Sequence, residues 1–226
     1  LDELVGRYRA IGGGSPLSRI VERQRAALAA ELGRRGRPVA VYAAMKHIDP
    51  FIGDVVRRMA GDGIQHVVAI ALAPQHSSFN EQTYGRAVTE AAASIAGSAP
   101  TVTVVGSWHD QPRLIEAMAA ATAEALTRCH DPSAAHVFFT AHSLPERIAG
   151  GTDPYAHEVA ATAALVAERL GLERCDVAFQ SAGRTGDRWM GPELGAEIRR
   201  VAATGVREIV VCPVGFVADH LEVLYD

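Results

Sequence analysis

Near one end of the 226-residue chain, the stretch VGFVADHLEVLYD places Asp219, Glu222 and Asp226 at positions i, i+3 and i+7. On a helix these three carboxylates share one face. Earlier in the chain, FFTAHSLP carries His142 onto a loop just beyond a run of strand-forming residues, Val137 to Thr140. In open α/β sheets, the region past the C-terminal end of a strand is where ligands gather. An imidazole that exchanges a proton near neutral pH and a stripe of hard oxygen donors suit the handling of a divalent metal. The plainer account of the stripe is a solvated first helical turn, where acidic side chains favour the helix dipole. Asp219 also suits an N-cap. His220 lies about 200° from Glu222 around a helix of period 3.6, which predicts that the two do not share a face.

Elements must position these groups. Short apolar runs alternate with amphipathic stretches, the βαβ rhythm of parallel sheets flanked by helices, so the class is α/β. Strands are predicted at 38–44, 66–72, 101–105, 135–140, 175–180 and 207–212. Helices are predicted at 16–33, 50–61, 78–96, 111–128, 153–170 and 192–204, the first capped by Ser15 with Pro16 at its opening position. The residues from Leu1 onward read as part of a further helix. Most strand runs are continuously apolar, which predicts cover on both sheet faces. The polar segment CHDPSAA, residues 129–135, reads as a junction between an N-terminal domain, 1–130, and a C-terminal domain, 131–226.

Other candidates gather at predicted strand ends. Lys46 and His47 follow the strand expected to finish near Ala43, and Pro50 suits the first turn of the next helix. Gln180 and Ser181 close another strand, and GRTGDR, residues 183–188, reads as a flexible loop leading to Trp189. Trp189 offers a broad apolar plate, with core packing as the alternative. Three glycines in IGGGSPLSRI precede a helix and could present N–H groups to an anion. The string lacks the spacing of either phosphate-binding glycine motif, so turn formation competes. Tyr84 sits on a predicted helix, where packing is its ordinary use.

Composition narrows the classes. With 48% hydrophobic residues the chain can build real cores. A net charge of −4 with interspersed cations leaves no basic stripe for nucleic acid. No stretch approaches the roughly 20 apolar residues that span a bilayer. Cys129, Cys175 and Cys212 are odd in number and widely spaced, which argues against a disulfide framework or zinc site and predicts a reducing cytoplasm.

TAHSLP followed by PVGFVADHLEVLYD, together with YRAIGGGSPLSRI, MKHIDPFI, LAPQHSSFNEQTYGRA and FQSAGRTGDRWMGP, resembles the ferrochelatase family, in order and over nearly the whole chain. The nearest likeness is to the bacterial enzymes that metallate coproporphyrin III, with protoporphyrin IX as the other porphyrin. The resemblance implies two Rossmann-like domains of four parallel strands each, flanked by helices. It also implies a porphyrin cleft, and family segments before Leu1 and after Asp226. Insertion of Fe2+ requires loss of two pyrrole protons, a shaped apolar slot and weak transfer ligands.

The family match gives His142 the role of base or metal ligand, Glu222 that of its carboxylate partner, and Asp226 that of a further metal or proton station. Lys46 is expected on a propionate, and His47, Tyr84, Ser181 and Trp189 along the cleft. Fe2+ is then a substrate and no cofactor is required, although some relatives hold an iron–sulfur cluster to which Cys129 would contribute. Other enzymes of haem synthesis are the protein partners the family suggests. Two competitors stand beside this reading: a cobalt or nickel chelatase acting on a sirohydrochlorin-like ring, and a non-catalytic porphyrin-binding module.

Overall fold

The computed structural model describes residues 2–149, 151–183 and 185–225, with the side chain of Ala149 excepted. Helix α1 (Asp2–Ala10) is followed by α2 (Leu17–Arg34) and α3 (Ile52–Gly61), then by strand β1 (His66–Ile70). A long helical stretch comes next: α4 (Ser78–Asn80), a π-helical turn (Glu81–Gly85) and α5 (Arg86–Ala93). Strand β2 (Thr101–Val105), α6 (Pro112–Leu126), β3 (His136–His142), α7 (Glu146–Ala149) and α8 (Tyr155–Leu170) follow. The described chain ends with β4 (Cys175–Gln180), α9 (Leu194–Ala203), β5 (Ile209–Cys212) and α10 (Leu221–Leu224).

The chain forms two compact units, which cut it differently from a break at 130 and 131. The first comprises 1–71, 80–106 and 218–225, and the second 72–79 and 107–217. The segment 129–135 is an ordered turn inside the second unit. There the Glu208 carboxylate accepts the N–H groups of His130 and Asp131 at 2.5 and 2.8 Å. Local polarity and a proline are shared by turns and linkers alike, so the composition could not distinguish them.

In the second unit three parallel strands run in the order β4-β3-β5. The central strand reads HVFFTAH and is buried throughout its interior. Side chains alternate across a strand, so Val137, Phe139 and Ala141 pack with Ile115, Ala119, Val159 and Val166 of α6 and α8. Phe138 faces the other way, with Ala178 and Val201 beside α9. The expectation of a strand covered on both faces holds here. Full burial of Phe138 and Phe139 contributes roughly 1.5–3 kcal/mol each.

The segment 72–79 belongs to this unit through polar bonds. The buried Gln75 amide donates to Thr162 Oγ1 and to the Val214 carbonyl, both at 3.1 Å. Glu158 accepts from the His76 N–H and from Ser107 Oγ, each at 2.6 Å, and Asp153 accepts from the N–H and hydroxyl of Ser78.

The first unit departs further from expectation. Among the described residues its one ladder joins β1 and β2, in parallel, with His66 opposite Thr101 and Ile70 opposite Val105. Residues 38–44 form no ladder. They are tied by side chains instead: Arg25 donates to the Val41 carbonyl at 3.2 Å, and Tyr42 to Asp62 at 2.7 Å. Strand propensity needs a hydrogen-bonding neighbour to become a strand. Exposure along β1 and β2 is high, with Val67 alone reaching the buried class. An apolar run therefore did not mean two covered faces in this unit.

Pro50 precedes α3, which opens at Ile52 after Phe51. At α2, Pro16 takes the cap position, and Ser15 Oγ accepts the Leu17 N–H at 3.2 Å. Boundary shifts of one or two residues are ordinary at helix ends.

Candidate active site

His142 is the last residue of β3, paired with Gln180 of β4, and not the first of a following loop. Strand alternation puts it on the face shared by Phe138 and Thr140, and Thr140 Oγ1 donates to Gln180 Oε1 at 2.7 Å. Its backbone carbonyl accepts the Tyr155 hydroxyl at 2.9 Å, which fixes the strand end against α8. The imidazole Nδ1 is shielded from solvent.

The chain beyond His142 is clamped to the loop carrying Trp189. Pro145 and Trp189 form an antiparallel bridge. The Met190 N–H donates to the Leu144 carbonyl at 3.0 Å, the Glu146 N–H to the Arg188 carbonyl at 2.9 Å, and Ser143 Oγ to the Met190 carbonyl at 2.8 Å. Trp189 consequently stands edge-on to His142, with ring centroids 6.4 Å apart and planes at 78°. That T-shaped arrangement is one that aromatic quadrupoles favour. Residues 185–188 of this loop are braced rather than loose: Arg147 pairs with Asp187 at 2.9 Å and Arg188 with Glu146 at 3.1 Å. Arg188 is thus already engaged with a carboxylate.

Ser181 follows Gln180 with φ of 60°, the left-handed region that disfavours side chains. Its Oγ is buried and has no hydrogen-bond partner among the described residues. A strained residue carrying an unsatisfied buried hydroxyl marks a place where structure has been spent on something other than stability.

In the first unit, α10 spans only Leu221–Leu224, and His220 is its cap in extended conformation. Asp219 precedes the helix and so does not share a helical face with Glu222, and the third carboxylate of the stripe, Asp226, lies outside the described residues. Asp219 is not the capping residue. His220 Nε2 lies 3.2 Å from Glu222 Oε2, against the expectation that they point apart. The 100°-per-residue rule applies only between helical residues, and an extended cap swings its ring back over the first turn.

Tyr84 lies in the π-helical turn, a feature frequent at functional sites. Burial first, and the negative charge of Glu222 second, push its phenol above the ordinary tyrosine value. Tyr84 is thus a neutral donor at physiological pH, and its position near Glu222 was not legible in the sequence.

Lys46 and His47 are exposed on a short loop closed by pairing of Met45 with Phe51. The described residues 38–44 before them form no strand. Gly12 and Gly13 return their N–H groups to the carbonyls of Arg9 and Tyr8 at 3.1 and 2.8 Å. Those two donors close the end of α1, which favours the turn reading over an anion site.

The second unit thus brings His142, Ser181 and Trp189 to one sheet edge, and the first unit brings Glu222 and His220 together with Tyr84 nearby. A cavity of about 620 Å³ in the second unit lies elsewhere, around Arg174, Arg207 and Glu208 at the N-terminal edge of the sheet, and none of these candidates lines it. Burial raises the Cys212 thiol, and Cys129 packs beside the main core. No helix among the described residues is long and apolar enough to cross a membrane.

The ferrochelatase family model matches residues 1–226. A coproporphyrin III ferrochelatase of Halalkalibacterium halodurans is 41% identical over 229 residues, covering 100% of this chain and 73% of that protein. Similar relatives include a coproporphyrin III ferrochelatase of a Geobacillus species, 39% identical over 231 residues and 74% of its length. A coproporphyrin III ferrochelatase 2 of Bacillus cereus is 38% identical over 71% of its length. Both of those matches also take in 100% of this chain.

Proposed function

Because this chain belongs to the ferrochelatase family and is an enzyme of haem synthesis that inserts Fe2+ into a porphyrin, we propose coproporphyrin III as its macrocycle and His142 and Glu222 as its catalytic pair. The reaction exchanges two pyrrole N–H protons for one Fe2+ in the ring. The protein must therefore hold a flat macrocycle, accept protons and pass on a weakly ligated metal.

A neutral imidazole at the end of β3 can do either of two things, accept a pyrrole proton or ligate entering Fe2+. Its rigid mounting suits both, because a misplaced base loses catalytic power steeply. The observation that carries this assignment is the clamp between the chain just beyond His142 and the Trp189 loop, which holds an imidazole and an apolar plate at 6.4 Å and 78°. Glu222 supplies the second proton or metal station, supported by its pairing with His220. Asp226 would extend that route. Ser181 is proposed as a donor to a porphyrin edge, Tyr84 as a neutral donor to a propionate, and Lys46 with His47 as cationic and polar contacts at the cleft.

Four propionates on coproporphyrin III, against two on protoporphyrin IX, call for charge-assisted bonds of the kind that Lys46 can make, as can Arg19, exposed in the first turn of α2 after the glycine string. The names of the similar bacterial relatives support the same macrocycle. A reducing cytoplasm suits the three free thiols.

The test uses the full-length protein. His142→Ala is expected to abolish Fe2+ insertion while porphyrin fluorescence titration still reports binding, whereas Trp189→Ala chiefly weakens binding. Near wild-type turnover by His142→Ala rejects the assignment. Competition between the two porphyrins under one detergent condition tests the substrate, with preference for protoporphyrin IX rejecting coproporphyrin III alone.

A further inference from the structure

Trp189 has one polar atom, and the loop consumes it. The indole has a single N–H donor and no acceptor, and it donates to Thr185 Oγ1 at 3.1 Å. The Thr185 hydroxyl in turn donates to Asp187 Oδ2 at 3.1 Å, which directs a lone pair toward the indole. Asp187 returns its own N–H to Thr185 Oγ1 at 3.3 Å. Arg147 forks onto both oxygens of Asp187, at 2.9 and 3.4 Å. The hydrogen bond from Arg147 holds the Asp187 carboxyl below its ordinary value, so the acceptor is ionised at neutral pH. A Cβ at Gly183 would come within 2.6 Å of the indole's six-membered ring, so any larger residue there would force the ring to move.

These groups are solvent-exposed or nearly so, and an exposed ion pair contributes little to stability. What the arrangement does control is direction. The hydroxyl has one proton, Asp187 takes it, and the indole N–H has one place to go. Gly183 leaves the ring free to lie against backbone.

We propose that Thr185 is a positioning residue for metal insertion: with Asp187 and Arg147 it withdraws the Trp189 N–H into the loop and presents only carbon surface of the indole beside His142. A flat, apolar aromatic macrocycle is the ligand such a plate fits, and one needing a hydrogen bond from the indole would be refused. The inference rests on the reading that Trp189 contacts the porphyrin.

The experiment uses the full-length protein and follows the Trp189 indole N–H resonance, assigned by its loss in Trp189→Phe. Thr185→Val is expected to shift that resonance and speed its exchange with solvent. It should also raise KM for the porphyrin about three- to tenfold, the size of an aromatic orientation effect, with kcat changed less than about twofold. Thr185→Ser, which keeps the hydroxyl, should restore both readouts. Arg147→Ala should move the resonance in the same direction by a smaller amount.

An unmoved resonance in Thr185→Val overturns the proposal without reference to catalysis. A shifted resonance with unchanged KM also overturns it, because the indole's direction then has no bearing on substrate. If Trp189→Ala itself leaves porphyrin binding untouched, the underlying assignment of Trp189 fails, and that result is read independently of the loop. Because Thr185 is exposed, loss of folding is not expected, and a circular dichroism spectrum matching the parent verifies it.

Discussion

At the scale of single residues, chemistry was easier to read than geometry. His142 and Glu222 stand out in the sequence by type and motif, yet helical spacing predicts that His220 and Glu222 point apart, and they meet at 3.2 Å. The physical reason is that helical angles do not hold at His220, a cap residue that adopts φ of −155°. The pairing makes a graded prediction. Glu222→Gln should reduce turnover far more than His220→Ala, which removes a partner and leaves the carboxylate; steady-state rates across Fe2+ concentrations measure the contrast, and equal losses would contradict it. Tyr84 supplies a second. Since burial and Glu222 raise its pKa, the phenol stays protonated well into alkaline solution. Tyr84→Phe is then expected to weaken porphyrin binding by roughly 1 kcal/mol, one neutral hydrogen bond, by the same factor at pH 7 and pH 9. A deficit that vanishes at pH 9 would show that the phenol had already ionised there.

Among elements, helices with a strong apolar stripe were placed within a few residues, as α6 and α8 illustrate, because their periodicity is local. The strands of the second unit were equally legible, since β3 is hydrophobic without interruption. The segment 72–79 was not, because its attachment depends on partners some 80 residues away in sequence. Asp153 is one such partner. Partial burial tends to raise its carboxyl, but the N–H and hydroxyl of Ser78 and the N–H of Tyr155 outweigh that and lower it. A depressed folded-state value means that the stabilisation is present above the unfolded aspartate range and is lost as pH falls through the folded value. Chemical denaturation between pH 7 and pH 3 should show declining stability, and Asp153→Asn should flatten that decline while costing roughly 1–3 kcal/mol at pH 7. Gly215, in the turn after β5, makes a steric prediction. An added Cβ would sit 2.6 Å from the Ala141 Cβ and 2.8 Å from its Cα, where backbone cannot yield. Gly215→Ala is expected to destabilise by about 1–3 kcal/mol in urea titration and to lower activity through the displaced end of β3.

On the scale of the whole molecule, the two units differ in how completely their sheets are covered. Val68, Ile70 and Val104 of the first unit are 67%, 49% and 41% exposed. Exposed apolar side chains on one sheet promote association, so Val68→Lys should lower binding of a hydrophobic dye and raise the concentration at which the protein self-associates, with the unfolding midpoint little changed. Light scattering beside dye fluorescence checks this. The α/β class, the family, the helices and the identity of the candidate catalytic residues follow from the sequence by itself, because periodicity, residue type and motif order are properties of neighbouring positions. Tertiary structure alone decided which apolar runs became strands: 38–44 has ample propensity but gains no ladder. It also decided that the chain changes unit at 72, 80, 107 and 218, and that a glycine-bordered loop becomes a brace for Trp189. Each of these depends on a hydrogen-bonding or packing partner far away in sequence, and no local pattern specifies where that partner will be.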